Sequence, residues 1–255
     1  MQKLSTVIMT YNEEDKIGQC IQSVLQVSDE IIVLDSFSTD RTKEIAESLG
    51  ARVEEHAFMG YIQQRALSVS LANNDFVLAL DADEYLSPEL QTEILKIKKD
   101  KSADAYYLNR INAINGYWLK HGPWFPHWII RLFDRTKIKC EGNPPHDRIV
   151  TRNKAVTEKI KPLLMHHCND DIHDRMATIN NHSSRAADYR YSQGKTSNYF
   201  KIIFKPIWKF IVEYFLRAGF LDGFYGFLMA RTSAMYIYLR ESKLMELNRK
   251  KKKRV

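Results

Sequence analysis

The sequence predicts an α/β domain built on a mostly parallel sheet with helices on both faces, followed by a C-terminal amphipathic helical extension. Three observations predict it. Between residues 4 and 81, short β-branched apolar runs alternate with segments of helical spacing. That β-α-β-α-β-α-β order at short intervals fits parallel strands covered on two sides. The run from Asp75 to Tyr85 is almost uninterruptedly apolar until it delivers Asp81, Asp83 and Glu84, as a strand buried on both faces does when it leaves the sheet. From about residue 172 the chain reads as helix, and Phe200, Ile203, Phe204, Ile207, Trp208, Ile211 and Phe215 recur at intervals of three and four.

In order, Leu4 to Thr10 is β-branched and reads as a strand that Tyr11-Asn12-Glu13-Glu14 breaks. Ile17, Cys20, Ile21, Val24 and Leu25 follow at helical spacing, and Ile31 to Leu34 is a second buried strand ending at Asp35. Ser36 to Asp40 is rich in capping residues, so a helix follows it and ends at Gly50. Ala51 to Glu54 is a third strand, and Tyr61 to Leu71 a helix carrying Gln63, Gln64 and Arg65. Past residue 100, Ala105 to Asn109, Trp128 to Phe133 and Ile149 to Thr151 read as short strands between glycine- and proline-rich loops. The aromatic residues Trp118, Trp124, Phe125 and Trp128, interleaved with His121 and His127, suit a sugar-binding platform as well as ordinary packing. Pro206 marks a helix start or a kink. The division expected is 1–170 for the α/β domain, with halves at 1–100 and 101–170, and 171–255 for the helical extension.

Charges cannot continue inside a two-sided sheet, so Asp81, Asp83 and Glu84 are expected at its carboxyl edge, where open α/β sheets bind ligands. Asp81 and Asp83 are two residues apart and in extended chain point to one side. Two carboxylates aimed at one place repel unless a cation or proton lies between them. Oxygen ligands favour a hard ion, Mg2+ or Mn2+, whose simplest use is to hold a diphosphate. The alternative is an acidic strand end that only caps the next helix at Ser87-Pro88-Glu89.

The 255-residue chain carries a formal charge of +7, but Arg249 to Arg254 are six consecutive basic residues, and without them about +1 remains (7 − 6). The body is therefore nearly neutral, which argues against a nucleic-acid partner and makes the tail a separate device. Cys20, Cys140 and Cys168 show no paired spacing, as in a reducing compartment. Met1 leads directly into a strand-like run, so no secretory signal is expected. No stretch of 18 or more uncharged apolar residues exists, so no simple spanning helix is expected. Lysines among the aromatic residues of 200–215, together with the basic tail, suit an anionic membrane surface.

With these strand ends aligned, the chain resembles a family 2 glycosyltransferase of the GT-A (Rossmann-like) fold. The matching pieces are TYNEE at 10–14, DSFSTDRT at 35–42, QQRA at 63–66 and DADE at 81–84. HGPWFPHWIIRLFDR at 121–135, PPHDR at 144–148, PLLMHH at 162–167 and FKPIWKFIVEYFLRAGFLDG at 204–223 resemble the lipopolysaccharide core β-1,4-glucosyltransferases, which add glucose to the first inner-core heptose. The resemblance implies that Tyr11 stacks beside the uracil and that Asp35 accepts from its ring nitrogen. Arg65 is similar to a basic residue near the nucleotide, Asp81 would contact the ribose or sugar, and Asp83 would ligate the metal. His166 is placed like a second metal ligand, with His167 adjacent. The 121–135 segment supplies acceptor-binding candidates His121, Trp124 and Arg131. Asp147 is implied as the base, at a position where the subfamily more often has Glu.

The resemblance thus implies inverting, Mg2+- or Mn2+-dependent transfer of a hexose, expected to be glucose, from a UDP-sugar to a lipid-linked oligosaccharide acceptor. The expected location is peripheral, at the cytoplasmic face of the inner membrane. Competing readings are transfer to a polyprenyl phosphate, against which the 121–135 and 144–148 motifs argue, and a sugar nucleotidyltransferase, which would need a Gly-rich phosphate cradle that TYNEE lacks. A non-enzymatic membrane-binding scaffold is the third, and it predicts no UDP binding.

Overall fold

The computed structural model describes residues 2–143, 146–152, 154–169 and 171–252, without the side chains of 142, 143, 146, 147, 169, 251 and 252. In chain order its elements are β1 (Leu4–Thr10), α1 (Ile17–Val24), β2 (Glu30–Asp35), α2 (Thr42–Ser48), β3 (Arg52–Glu55), α3 (Tyr61–Ser70), β4 (Phe76–Asp81), β5 (Glu84–Leu86) and α4 (Pro88–Lys99). There follow β6 (Ala105–Ile114), β7 (Tyr117–Trp118), β8 (His127–Asp134), β9 (Ile138–Asn143), β10 (His146–Thr151), β11 (Thr157–Asn169), α5 (Ile172–Ser192), α6 (Tyr199–Ile211) and α7 (Gly223–Lys252).

The main sheet runs β3-β2-β1-β4-β8-β6-β11-β5, with β7 paired to β6, and β9 and β10 form a separate ribbon. β1 is parallel to β2 and β4, and β2 is parallel to β3. Beyond β4 the sheet continues antiparallel, through β8 to β6 and at the β11–β5 pair. Side chains alternate across it, as the two-residue period requires. Phe76, Leu78 and Leu80 of β4 enter one core with Ile17, Cys20, Ile21 and Val24 of α1, Ala46 of α2 and Leu90 and Ile94 of α4. Val77 and Ala79 enter a second core with Val69 of α3. Each face of β4 is thus covered by helix, which is why its sequence is a continuous apolar run. This is the α/β arrangement of the GT-A fold.

The extended Asp81–Asp83 geometry expected from sequence does not hold. The chain turns at Ala82 and Asp83 and re-enters the sheet as β5. Glu84, expected at the edge, is fully buried, because two guanidinium groups neutralise it there. From β5 the chain passes into α4, where Ser87 accepts from the Leu90 N–H and Pro88 opens the helix, a favourable N-terminal pair.

The chain forms two compact units, one of residues 1–111, 127–142 and 146–167, the other of 112–126, 143–145 and 168–255. The first holds both cores. In the second, α7 packs along α5 and α6. The fully buried Glu241 of α7 accepts from Arg240, from Lys205 of α6 and from Ser197, with Arg190 of α5 3.8 Å away, so one carboxylate ties three helices. Asn198 caps α6 by accepting from the Lys201 N–H, so Pro206 lies inside the helix rather than at its start. A π-helical turn at Val212–Leu216 and a 3-10 turn at Gly219–Asp222 lead from α6 to α7. A Cβ on Gly226 would lie 1.8 Å from the Gly219 carbonyl oxygen, so only glycine permits this backbone approach. No helix among the described residues is long and apolar enough to cross a membrane.

Candidate active site

At the carboxyl edge of the parallel strands, the loops after β1 and β2 are stitched together. The Asn12 N–H donates to Ser38 Oγ, and the Thr39 N–H returns to Asn12 Oδ1 at 2.8 Å. The Glu13 N–H donates to Thr42 Oγ1, the Glu14 N–H to Asp40 Oδ2, and the Arg41 N–H to Glu14 Oε2. TYNEE and DSFSTDRT are therefore two halves of one hydrogen-bonded rim. Asp35 is fully buried beneath it, and its carboxylate accepts from both the N–H and the hydroxyl of Ser38. Tyr11 and Phe37 are 57% and 54% exposed, and Phe37 holds a positive φ of 63°. The rim thus presents two aromatic rings to solvent, surfaces on which a flat base can stack.

Under this rim lies a carboxylate–guanidinium network. Arg65, 1% exposed, donates from Nη2 to Asp81 Oδ1 at 2.6 Å and from Nη1 to the Leu80 carbonyl. Arg131 Nη2 donates to Asp81 Oδ2 and, at 2.8 Å, to Glu84 Oε1. Arg110 Nη1 reaches Glu84 Oε1 at 2.9 Å, and its Nη2 lies 3.2 Å from His127 Nδ1. Glu84 Oε2 also accepts from the Asp81 N–H. Burial opposes ionisation of Asp81, but Arg131, then Arg65 and Arg110, hold its carboxyl well below the usual range. Burial likewise works against ionised Glu84, and Arg131 and Arg110 outweigh it, so its pKa also falls. Burial, then the Arg110 charge, lowers His127 to about 4, so the imidazole is neutral and accepts from Arg110.

Asp83, on the turn, is arranged differently. Its Oδ2 lies 3.1 Å from His166 Nε2, and its Oδ1 is buried with no hydrogen-bond partner among the described residues. A buried carboxylate oxygen left unsatisfied is costly, and a hard cation would satisfy it. No group of three or more His, Cys, Asp or Glu side chains that could hold a metal occurs among the described residues. An ion held by Asp83 and His166 alone would need its remaining positions filled by other oxygens, such as those of a ligand or water. His167 differs from its neighbour: its ring stacks on Tyr85 at 5.6 Å, while its N–H donates to the Asp83 carbonyl. Strand alternation in β11 separates the two histidines, and it is His166 that turns to the Asp83 carboxylate.

The structure brings Asp81, Asp83, Arg65, Arg131 and His166 together in the first unit. Arg131, expected at the acceptor, is 7% exposed and engaged with Asp81 and Glu84. Asp81, expected to touch sugar, already has both oxygens in ion pairs. His121 and Trp124 belong to the second unit. His121 Nδ1 pairs with Asp222 at 2.9 Å, and Trp124 stacks under Arg175 at 5.2 Å. The Asp147 side chain, with Pro144 and Pro145, lies outside the described residues. Arg110 was not anticipated, and His127, read from sequence only as part of an aromatic sugar-binding segment, instead accepts from Arg110 beside Glu84. The signal was a charged residue inside the otherwise strand-like run AYYLNRINAI, which pairs in register with His127.

The family model for Glycosyl transferase family 2 matches residues 5–155. An uncharacterized glycosyltransferase of Rickettsia typhi is 36% identical over 261 residues, covering 98% of this chain and 89% of the relative. A lipopolysaccharide core biosynthesis glycosyltransferase of Rhizobium meliloti is 27% identical, covering 95% and 92%. Among solved structures, glucosyl-3-phosphoglycerate synthase from Mycobacterium tuberculosis, in complex with Mn2+, UDP and its product, is 25% identical over 44% of each chain, with a TM-score of 0.37. A rim of two stitched loops, acids at the end of the central strand and a match over more than half the chain lead to one assignment: the chain belongs to glycosyl transferase family 2.

Proposed function

We propose that this glycosyltransferase moves a hexose, glucose on the motif resemblance, from a UDP-sugar to a heptose of the lipopolysaccharide inner core, with inversion. The observation that carries the donor half is the Asp83–His166 pair with its unsatisfied buried carboxylate oxygen. A divalent ion held there, Mg2+ or Mn2+, would neutralise charge on the departing diphosphate. Arg65 and Arg131, fixed by Asp81 and Glu84, keep positive charge at the same strand end without needing to reorganise. Tyr11 offers its exposed ring to the uracil. Asp147 takes the proton of the acceptor hydroxyl as that oxygen attacks the anomeric carbon. The acceptor half is supported by the 121–135 and 144–148 motifs and by likeness to the Rhizobium meliloti protein along nearly its whole length.

The test is thermal unfolding of the full chain with UDP, with and without Mn2+ or Mg2+, because a ligand that binds only the folded state raises the melting point. A metal-dependent rise is expected, followed by sugar release from one UDP-sugar of a panel and transfer to a heptose-containing core acceptor. Absence of any UDP-induced shift in either metal would refute the donor reading. Transfer to polyprenyl phosphate but not to the core acceptor would replace the acceptor.

A further inference from the structure

The second unit carries an exposed apolar surface to which the proposed transfer assigns no residue. Among the described residues, twelve exposed large apolar side chains fall between 199 and 227, against nine in all of the chain before them. Phe204, Trp208, Phe215, Leu216, Phe220 and Phe224 are 47–68% exposed. Two of them, Phe215 and Phe220, belong to a ring cluster centred on Tyr214. The Tyr214 ring lies 5.3 Å from Phe210, 5.0 Å from Phe215, 6.3 Å from Phe220 and 5.8 Å from Phe227. The C-terminal half of α6, both turns after it and the start of α7 thus share one aromatic surface. Exposed apolar residues scattered singly need no explanation, but a contiguous patch of this kind marks an interaction site.

Charge identifies the occupant. The only acids between 199 and 227 are Glu213 and Asp222. They are 2% and 3% exposed, paired with Lys209 and His121 respectively. Lys201, Lys205, Lys209 and Arg217 are all partly or fully exposed; Lys205 and Lys209 also pair with the buried Glu241 and Glu213, so the exposed charge on residues 199–227 is cationic, with no exposed acid beside it. A second copy meeting this face about a two-fold axis would set those cations against their own images. An anionic bilayer complements them, with rings sinking to the acyl boundary and lysine stems reaching back to the headgroups.

We infer that this surface inserts into the interface of an anionic bilayer, and that it, rather than the basic tail, is the principal anchor. The inference is independent of the donor and acceptor, so its test uses vesicles that contain neither. The full chain is sedimented with vesicles of phosphatidylcholine mixed with phosphatidylglycerol, and with phosphatidylcholine alone. Three proteins are compared: wild type, the triple variant Phe204→Ser/Trp208→Ser/Phe220→Ser, and a chain truncated after Asn248. Wild type should bind the mixed vesicles, and the triple variant about tenfold or more weakly. Truncation should cost less than the triple change, and residual binding should persist in high salt, which screens charge but not apolar insertion. Brominated lipid should quench wild-type tryptophan fluorescence, and Trp208→Phe should remove most of that quenching, which needs no heavily altered variant. Wild type remaining in solution, a truncation more damaging than the triple variant, or a lipid-free dimer that the triple variant abolishes would each overturn the inference.

Discussion

Replacing Arg131 with Met removes the one guanidinium that two carboxylates share while keeping an unbranched apolar side chain in its place. Asp81 retains Arg65 at 2.6 Å and Glu84 retains Arg110 at 2.9 Å, so neither carboxylate is left alone. Removing one partner of a buried pair costs about 3–5 kcal/mol, and the surviving partners put this case near the lower end, at about 3 kcal/mol. At roughly 2–4 °C per kcal/mol for a chain of this size, the melting midpoint should fall by about 6–12 °C at neutral pH. The same change has a pH signature. The folded-state pKa values of Glu84 and Asp81 are lowered, so their stabilisation is present above the unfolded values near 4 and is lost as pH falls through the lowered folded values. Without Arg131 both folded values rise, and the variant has less of that stabilisation to lose. The gap between wild type and variant should therefore narrow as pH is taken from 7 to 3. Calorimetry across this range measures it, and Glu84→Gln with the double variant gives a coupling energy that should exceed about 0.5 kcal/mol. A midpoint shift under about 2 °C at pH 7, or a gap that does not change with pH, would refute the reasoning.

Asp83→Asn should leave the melting point of the free protein within a few degrees while abolishing metal-dependent stabilisation by UDP and, with it, turnover; an unchanged UDP shift removes the metal site. Asp147→Asn should lower turnover by on the order of a hundredfold while donor affinity stays near wild type, and Asp147→Glu should keep part of the activity. If turnover per folded molecule is normal in the Asn variant, another carboxylate is the base. His127 has a folded pKa of about 4 against an ordinary 6.5, so the unfolded chain takes up its proton first and wild type loses stability as pH falls from about 6.5 to 4. His127→Asn should lose less over that interval in urea titrations at fixed pH; equal losses would show that His127 is not the group responsible.

The parallel half of the sheet was legible because local rules and packing agree there. The run Phe76 to Leu80 is apolar on both parities, and both parities are buried. The acid cluster was legible as a site but not as a geometry. Glu84 sits inside the sheet because Arg110 and Arg131 reach it from 26 and 47 residues away, and no local pattern announces that pairing. The turn at Ala82 and Asp83 follows from the same cause. His166 meets Asp83 across 83 residues, and its choice over His167 rests on the register of β11 against β5. The strand β11 was itself hard to read, since Thr157 to Lys161 carries three charges in five residues. On the helical side, the aromatic spacing of α6 was plain, whereas the burial of Glu213 and Asp222 depends on folding of the turns around them.

The stitched rim has a consequence for exchanging parts between related enzymes. Asn12, Glu13 and Glu14 are joined to Ser38 through Thr42 by hydrogen bonds that cross between the loops. A chimera that takes the first loop from a distant relative and keeps the second would strand donors and acceptors on both sides. Grafting the two loops as a matched set would carry the lattice over intact. The unit that such an exchange must carry is therefore a pair of segments some twenty-five residues apart, and neither is portable without the other.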